Sequence, residues 1–114
     1  VITQPHILTI RVDESLYFAN ARYLEDHLFA RATHRPQLRH VVLMCSAVND
    51  IDMSALDSLE AVNTRLEDMG VSFHLSEVKG PVMDRLTGTE FLVQLTGKIF
   101  LSQKQAMDHL TPLT

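Results

Sequence analysis

The residues best placed to do chemistry lie in one short segment, Asn49-Asp50-Ile51-Asp52-Met53-Ser54-Ala55. This segment follows the most apolar stretch of the chain and precedes its most regular helical pattern, so it is predicted to join a buried strand to a helix. Binding sites in open α/β sheets tend to form at such junctions. Its two acids could bind a cation with a third oxygen ligand, but their spacing in a loop favours a turn and a helix cap.

Ser54 supports two interpretations, and the residues alone leave both open. As the N-cap of the helix, its hydroxyl would accept a hydrogen bond from a backbone N–H about three residues on, and Asp57 would reach back in an acidic capping box. As a phosphoacceptor, Ser54 would carry a dianionic phosphate that meets free N–H groups and the positive end of the helix dipole. One hydroxyl can serve both roles.

The other reactive residue types favour packing over chemistry. The histidines show no i, i+4 pair and no HExxH pattern, so solvated or partly buried side chains are predicted in place of a metal site. The single cysteine, Cys45, lies in an apolar run, and the four glycines are isolated, so no glycine-rich phosphate cradle is present. We therefore expect no enzyme, cofactor or metal. The six histidines are His6, His27, His34, His40, His74 and His109.

Composition limits the classes of partner. The 114 residues, 46% apolar and 21% charged, suffice for one domain over residues 1–114 with its own core. A net charge of -4 and scattered basic residues argue against a nucleic-acid partner. The longest apolar run is about five residues, far below the roughly 20 needed to cross a bilayer, so direct membrane insertion is not expected and the isolated domain should be soluble.

Strands that alternate with helices along the chain predict an α/β fold with helices packed mainly on one face of the sheet. The near-continuous apolar run after His40 indicates a central strand buried on both faces. Residues 71–78 alternate with a period of two, which indicates a strand with one face less buried. The predicted strands are residues 7–12, with an edge hairpin to residues 1–3, then 41–48, 71–78 and 98–102; the predicted helices are residues 19–32, 55–69, 81–86 and 103–110.

Two strings then resemble a known family. DESLYFANARYLEDHL, residues 13–28, resembles the start of the STAS domain (sulfate transporter and anti-sigma factor antagonist) in SulP anion transporters. NDIDMSALDSLEAV, residues 49–62, resembles the signature junction of that family, in which an acidic residue is followed two positions later by Ser or Thr and a small residue. With VKGPVMDRL and KIFLS, the resemblance extends over nearly the whole chain.

The resemblance implies a mixed sheet of about four or five strands with about four or five helices. It matches Asp52 to the signature aspartate and Ser54 to the serine that free-standing antagonists present to a kinase, whereas Met53 and Ala55 depart from the Ser and Gly common in those switch proteins. The string FANA favours the transporter branch, and a start at Val1 fits a fragment of a longer membrane transporter. We expect a partner to dock at the exposed first turn of the second helix, around Asp52, Ser54, Asp57 and Ser58.

The implied function is a regulatory or protein-interaction domain at the cytoplasmic face of the inner membrane, attached to a transporter of the sulfate, bicarbonate or dicarboxylate class. Its expected partners are the membrane domain of the parent transporter and either a cytoplasmic protein, such as acyl carrier protein, or a nucleotide; a homodimer is a further expectation. The alternative is a free-standing anti-sigma factor antagonist, phosphorylated on serine in a partner-switching pathway.

Overall fold

The computed structural model describes residues 5–13, 15 and 17–113. In this part of the chain, strands and helices alternate as the sequence predicts, except that a second short helix, α4, follows α3 before the last strand. The strands are β1 (Ile7–Arg11), β2 (His40–Met44), β3 (Ser72–Ser76) and β4 (Ile99–Phe100). The α-helices are α1 (Phe18–Ala32), α2 (Met53–Asp68), α3 (Gly80–Leu86), α4 (Glu90–Gln94) and α5 (Gln103–Leu110), followed by a 3-10 turn over Thr111–Leu113.

The four described strands form one sheet in the order β1-β2-β3-β4, and every pairing among them is parallel. The carboxyl ends of parallel strands meet at one edge, so the loops that follow β1, β2 and β3 come together there. The α/β fold class, with about four strands and five helices, is confirmed. The predicted hairpin to residues 1–3 lies outside the described residues.

The larger core lies between the sheet and helices α1 to α4. Alternate strand residues such as Leu8, Val41 and Phe73 point into it and are buried, together with Leu59 of α2 and Phe91 of α4. The rings of Phe73 and Phe91 meet edge to face at 6.3 Å between centroids, a favoured aromatic geometry. Most helices therefore pack on one face of the sheet, as predicted.

Helix α5 packs on the opposite face. Its residues Ala106 and Leu110 form a smaller apolar cluster with Val42 of β2 and Phe100 of β4. Burial of β2 on both faces confirms the prediction made from its continuous apolar run. The prediction that one face of β3 is less buried is wrong, because α5 covers the polar face and leaves His74 and Ser76 buried.

Helix α2 ends as the sequence predicts. Gly70 has a φ of 75°, which a glycine adopts without strain. The N–H of Gly70 donates to Glu67 O at 2.9 Å, and the N–H of Val71 donates to Leu66 O at 2.8 Å, which is the Schellman pattern. The predicted last strand, residues 98–102, is shorter in the structure, where only Ile99–Phe100 is extended and paired. No helix among the described residues is long and apolar enough to cross a membrane.

Candidate docking surface at the carboxyl edge of the sheet

The loop between β2 and α2 is held by the loop that follows β1. The hydroxyl oxygen of Ser15 accepts hydrogen bonds from the N–H groups of Asn49 and Asp50, both at 3.2 Å. The Tyr17 hydroxyl also donates to Asp50 Oδ2 at 3.5 Å. Two residues of the junction thus have their backbone N–H groups satisfied by one side chain, which fixes the path of the chain toward α2.

The loop that follows β3 and the helix α3 after it contribute one cation each. Lys79 Nζ donates to Asn49 Oδ1 at 2.7 Å, and Arg85 of α3 lies 3.4 Å from Asp50 Oδ1. Asp50 is therefore paired with both Arg85 and Tyr17. This pairing makes Asp50 a structural tie among three elements of the edge and argues against a role as a catalytic acid.

Asp52, and not Ser54, is the N-cap of α2. Its Oδ1 accepts from the N–H of Ala55 at 2.8 Å, and its backbone is extended with φ -92° and ψ 171°. The predicted cap at Ser54 with a reciprocal bond from Asp57 is wrong, because the helix begins two residues earlier than predicted, at Met53. That start buries Ile51 before the cap and Leu56 in the first turn within the same core cluster, as in a hydrophobic staple.

Ser54 lies in the first turn of α2 with an exposed side chain, and Asp57 is exposed one turn on. Ser58 is buried, contrary to the expectation of an exposed side chain, because it faces α1. Ser54, Asp57 and Ser58 line one shallow groove of about 370 Å³ whose opposite wall is Arg22 and Glu25 of α1. The structure therefore brings three of the four predicted site residues to one groove, with Asp52 at the start of the same helix.

Two exposed apolar side chains at this edge of the sheet were not predicted as site residues. Met53, the first residue of α2, is 68% exposed, and Tyr17, the N-cap of α1, is 47% exposed. Exposed large apolar side chains beside polar ones are common in protein-interaction surfaces. The exposure of Met53 could have been predicted from its position directly after a strong capping residue, because the first residue of α2 then points away from the apolar stripe of the helix. We call the surface formed by Tyr17, Met53, Ser54 and Asp57 the docking surface.

The remaining reactive side chains lie elsewhere. Cys45 is buried directly after β2, and burial raises the pKa of its thiol to about 12, so the thiol stays protonated and unreactive. His40 and His74 meet on the face of the sheet covered by α5. In the part of the chain that the structure describes, no group of three or more His, Cys, Asp or Glu side chains is arranged to hold a metal ion.

We predict that Asp52→Ala lowers the free energy of unfolding by about 1 kcal/mol, because the N–H of Ala55 loses its acceptor. Ser54→Ala, the matched control two residues on, should change it by less than about 0.5 kcal/mol, because the Ser54 side chain is exposed. Urea unfolding followed by circular dichroism measures both. A larger loss of stability in Ser54→Ala than in Asp52→Ala would mean that Ser54 is the N-cap.

Comparison with known proteins identifies the family of the chain. The model of the STAS domain matches residues 1–106, and the chain belongs to that family. Sulfate transporter 1.3 of Arabidopsis thaliana is 30% identical over 119 residues, covering 95% of this chain and 18% of the transporter. The chain thus spans less than a fifth of the length of that relative.

Solved structures share the fold. A sulfate transporter family protein from Wolinella succinogenes superposes with a TM-score of 0.85 at 18% identity, covering 99% of this chain and 91% of that one. The proposed anti-sigma factor antagonist of Thermotoga maritima superposes with a TM-score of 0.81 at 18% identity, covering 97% and 92%. The family resemblance read from residues 13–28 and 49–62 is confirmed.

Proposed function

We propose that the chain is a regulatory, protein-interaction domain of a SulP-type anion transporter and lies on the cytoplasmic face of the membrane. The observation that carries the proposal is the match of 95% of the chain to 18% of a sulfate transporter. A domain of this size beside a much larger transporter can act on transport by binding, while the membrane part moves the anion.

The docking surface supports binding over catalysis. The acids of the neighbouring loop are engaged structurally, since Asp52 caps α2 and Asp50 is paired with Arg85. Catalytic acids and bases instead converge on a cavity with shifted pKa values. The exposed Met53 and Tyr17 offer apolar contact area, and the exposed carboxylate of Asp57 would favour a partner with basic groups around an apolar centre.

A protein partner fits the docking surface better than a nucleotide does. The groove beside Ser54 is shallow, and it is lined by the guanidinium of Arg22, by the exposed carboxylate of Asp57 and by Glu25, which is paired with Arg65 at 3.7 Å. Phosphate groups would meet two acids there, which opposes binding. Among the partner classes that the family resemblance implies, the membrane domain of the transporter or a small cytoplasmic protein such as acyl carrier protein therefore takes precedence.

The alternative function is that of a free-standing antagonist switched by phosphorylation of Ser54. The superposition on the proposed anti-sigma factor antagonist and the exposed Ser54 hydroxyl in the first turn of α2 favour it. A phosphate there would gain from the helix N-terminus but would add charge beside Asp52 and Asp57. Such a modification would change the docking surface from partly apolar to strongly anionic.

The test uses the full-length protein that contains this chain, expressed in cells that lack their own sulfate uptake. We expect Met53→Asp to reduce sulfate uptake by about tenfold, because a charge replaces an apolar contact of the docking surface. Val93→Asp is the matched control, because Val93 is 83% exposed on α4 and outside the docking surface; it should transport like wild type. Protein abundance at the membrane and the thermal midpoint of each isolated domain are measured in parallel.

Two outcomes separate the functions. If Met53→Asp and Val93→Asp both transport at the wild-type rate, the docking surface plays no part in transport and the proposal fails. If the protein isolated from its native cells carries one phosphate by intact mass, and Ser54→Ala removes it, the result supports the phosphorylation switch and counts against the first proposal.

A further inference from the structure

A pair of histidine side chains links two strands on the face of the sheet that α5 covers. His40 of β2 and His74 of β3 approach to 3.1 Å between Nδ1 of His40 and Nε2 of His74. The other ring nitrogen of His74, Nδ1, accepts a hydrogen bond from the backbone N–H of Lys98 at 3.0 Å, just before β4 begins. The His74 ring therefore connects β2 to the segment that leads into β4.

These contacts determine the protonation of His74. A backbone N–H can only donate, so Nδ1 of His74 carries no proton, and the proton of the neutral ring is on Nε2. That proton is donated to Nδ1 of His40. Both nitrogens of His74 are thus used in the neutral form, and a second proton on Nδ1 would place two N–H groups face to face.

The surroundings of His74 oppose a positive charge. The side chain is 4% exposed, and the ring of Phe100 lies 5.7 Å away between centroids. Burial, followed by the nearby charges of His40, His109 and Lys98, lowers the pKa of His74 to about 4. These charged groups come from β2, from α5 and from the segment before β4, and all of them are cations or become cations in acid.

His40 has a similar environment. Burial, and then the neighbouring His6, Arg39 and His109, lowers its pKa. The two rings are in hydrogen-bond contact, so they titrate as a coupled pair. An added proton on either ring breaks the donation from His74 to His40 or the donation from Lys98 to His74.

We propose that the His40–His74 pair is an acid-sensitive latch that holds β4 and α5 on the sheet. The neutral pair fixes the Lys98 backbone, and β4 pairs with β3 through only two residue pairs. The cluster under α5 is also small, with Phe100, Ala106 and Leu110 as the buried contributions of β4 and α5. Loss of the latch therefore releases this segment locally, while the larger core on the other face stays folded.

The N-terminus of α5 has a separate attachment that carries a carboxylate. Glu77 Oε2 accepts from the N–H of Gln103 at 2.7 Å, and the amide of Gln103 bonds Ser76 Oγ at 2.6 Å and Thr9 Oγ1 at 3.0 Å. These bonds do not involve the histidine rings. Glu77→Gln consequently serves as a control for any effect of acid that acts on this carboxylate.

The direction of the pH effect follows from the lowered pKa of His74. The opened segment binds a proton on His74 below its ordinary pKa of about 6.5, whereas the latched form does not until the pH falls to about 4. The latch is fully effective above about pH 6.5 and loses strength as the pH falls between these values. Opening should become at most about tenfold more favourable for each pH unit in this window.

Amide hydrogen exchange at pH 7.0 and 5.0, corrected for intrinsic rates, tests the latch on the 114-residue chain. We expect the protection of residues 98–110, and of the Leu75 N–H that donates to Lys98 O, to fall by about tenfold or more at pH 5.0, while residues 41–44 keep theirs. His74→Asn offers an oxygen to the Lys98 N–H but cannot be protonated, so the loss of protection in acid should be much smaller than in wild type, with only His40 of the pair left to bind a proton. His34→Gln, at an exposed histidine, and Glu77→Gln should both respond as wild type does.

A pH response as large in His74→Asn as in wild type, or one that extends equally to all strands, would overturn the proposal. If His74→Asn fails to fold, the ring nitrogen shifts of the wild-type protein decide the matter. We expect Nδ1 of His74 to be unprotonated at pH 6 and to titrate well below its ordinary pKa. An ordinary midpoint near 6.5 would refute the latch.

Discussion

Gly97→Ala is expected to lower the free energy of unfolding by about 3 kcal/mol, a large cost for one methyl group. A Cβ at position 97 would overlap the ring of His74 and the carbonyl oxygen of Phe73. The backbone of β3 cannot move aside, because Phe73 is fully buried and pairs with Val41 of β2. The His74 ring cannot move without breaking its bonds to His40 and Lys98.

Gly80→Ala is the matched control for this prediction. A Cβ at Gly80 would meet nothing within 4 Å, and the residue begins α3, where alanine is the better helix former. Because position 80 precedes Pro81, where a Cβ disfavours the helical backbone, this variant should change the free energy of unfolding by less than about 1 kcal/mol in either direction. Urea unfolding of both variants measures the difference. Equal stabilities would mean that the chain relaxes around position 97 and that the space beside His74 is not as tightly bounded as the structure indicates.

The elements predicted best are those in which several local signals agree. Helix α2 combines a regular apolar stripe, two strong capping residues and Gly70 at its end, and its described bounds match the prediction to within two residues. Strand β2 combines a continuous apolar run with β-branched residues. Where the apolar pattern and the intrinsic helix or strand propensity agree, tertiary contacts rarely change the secondary structure that they predict.

The N-cap of α2 is a feature that the local sequence pattern does not determine. Asp52 and Ser54 are both favourable N-caps, and a choice between them moves the helix start by two residues. The structure selects Asp52 because that start buries Ile51 and Ala55 together. This selection depends on where the sheet lies, and the local pattern carries no such information. The same reason explains why Ser58 was expected at the surface and is buried.

Contacts between distant residues had no signal in the sequence. His40 and His74 are 34 positions apart, and their contact follows from the parallel register that pairs Val42 with His74. The alternation in β3 correctly predicts a strand. It also predicts a less buried polar face, because the pattern of β3 alone does not show that α5 covers that face. Polar residues on that face are buried by a helix that comes almost 30 positions later.

A second large effect is expected at Asn63, a buried polar residue of α2 that holds the chain between α4 and β4. Its Nδ2 donates to Gln94 O at 2.9 Å, and its Oδ1 accepts from the N–H of Thr96 at 3.2 Å and from the Thr96 hydroxyl at 3.1 Å. The Thr96 Oγ1 in turn accepts from the N–H of Phe73 at 3.0 Å. The Asn63 side chain thus satisfies hydrogen-bonding groups of the segment that leads to Gly97. Through the Thr96 hydroxyl it also ties that segment to β3.

Asn63→Ala should therefore lower the free energy of unfolding by about 3 kcal/mol, because a part-buried carbonyl and N–H lose their partner at once. Thr64→Ala, the next residue and exposed, should change it by no more than about 0.5 kcal/mol. Amide exchange at Phe73 adds a local readout, since its acceptor, the Thr96 hydroxyl, is positioned by Asn63. A loss of stability in Asn63→Ala without faster exchange at Phe73 would indicate a cavity effect and remove the network as its cause.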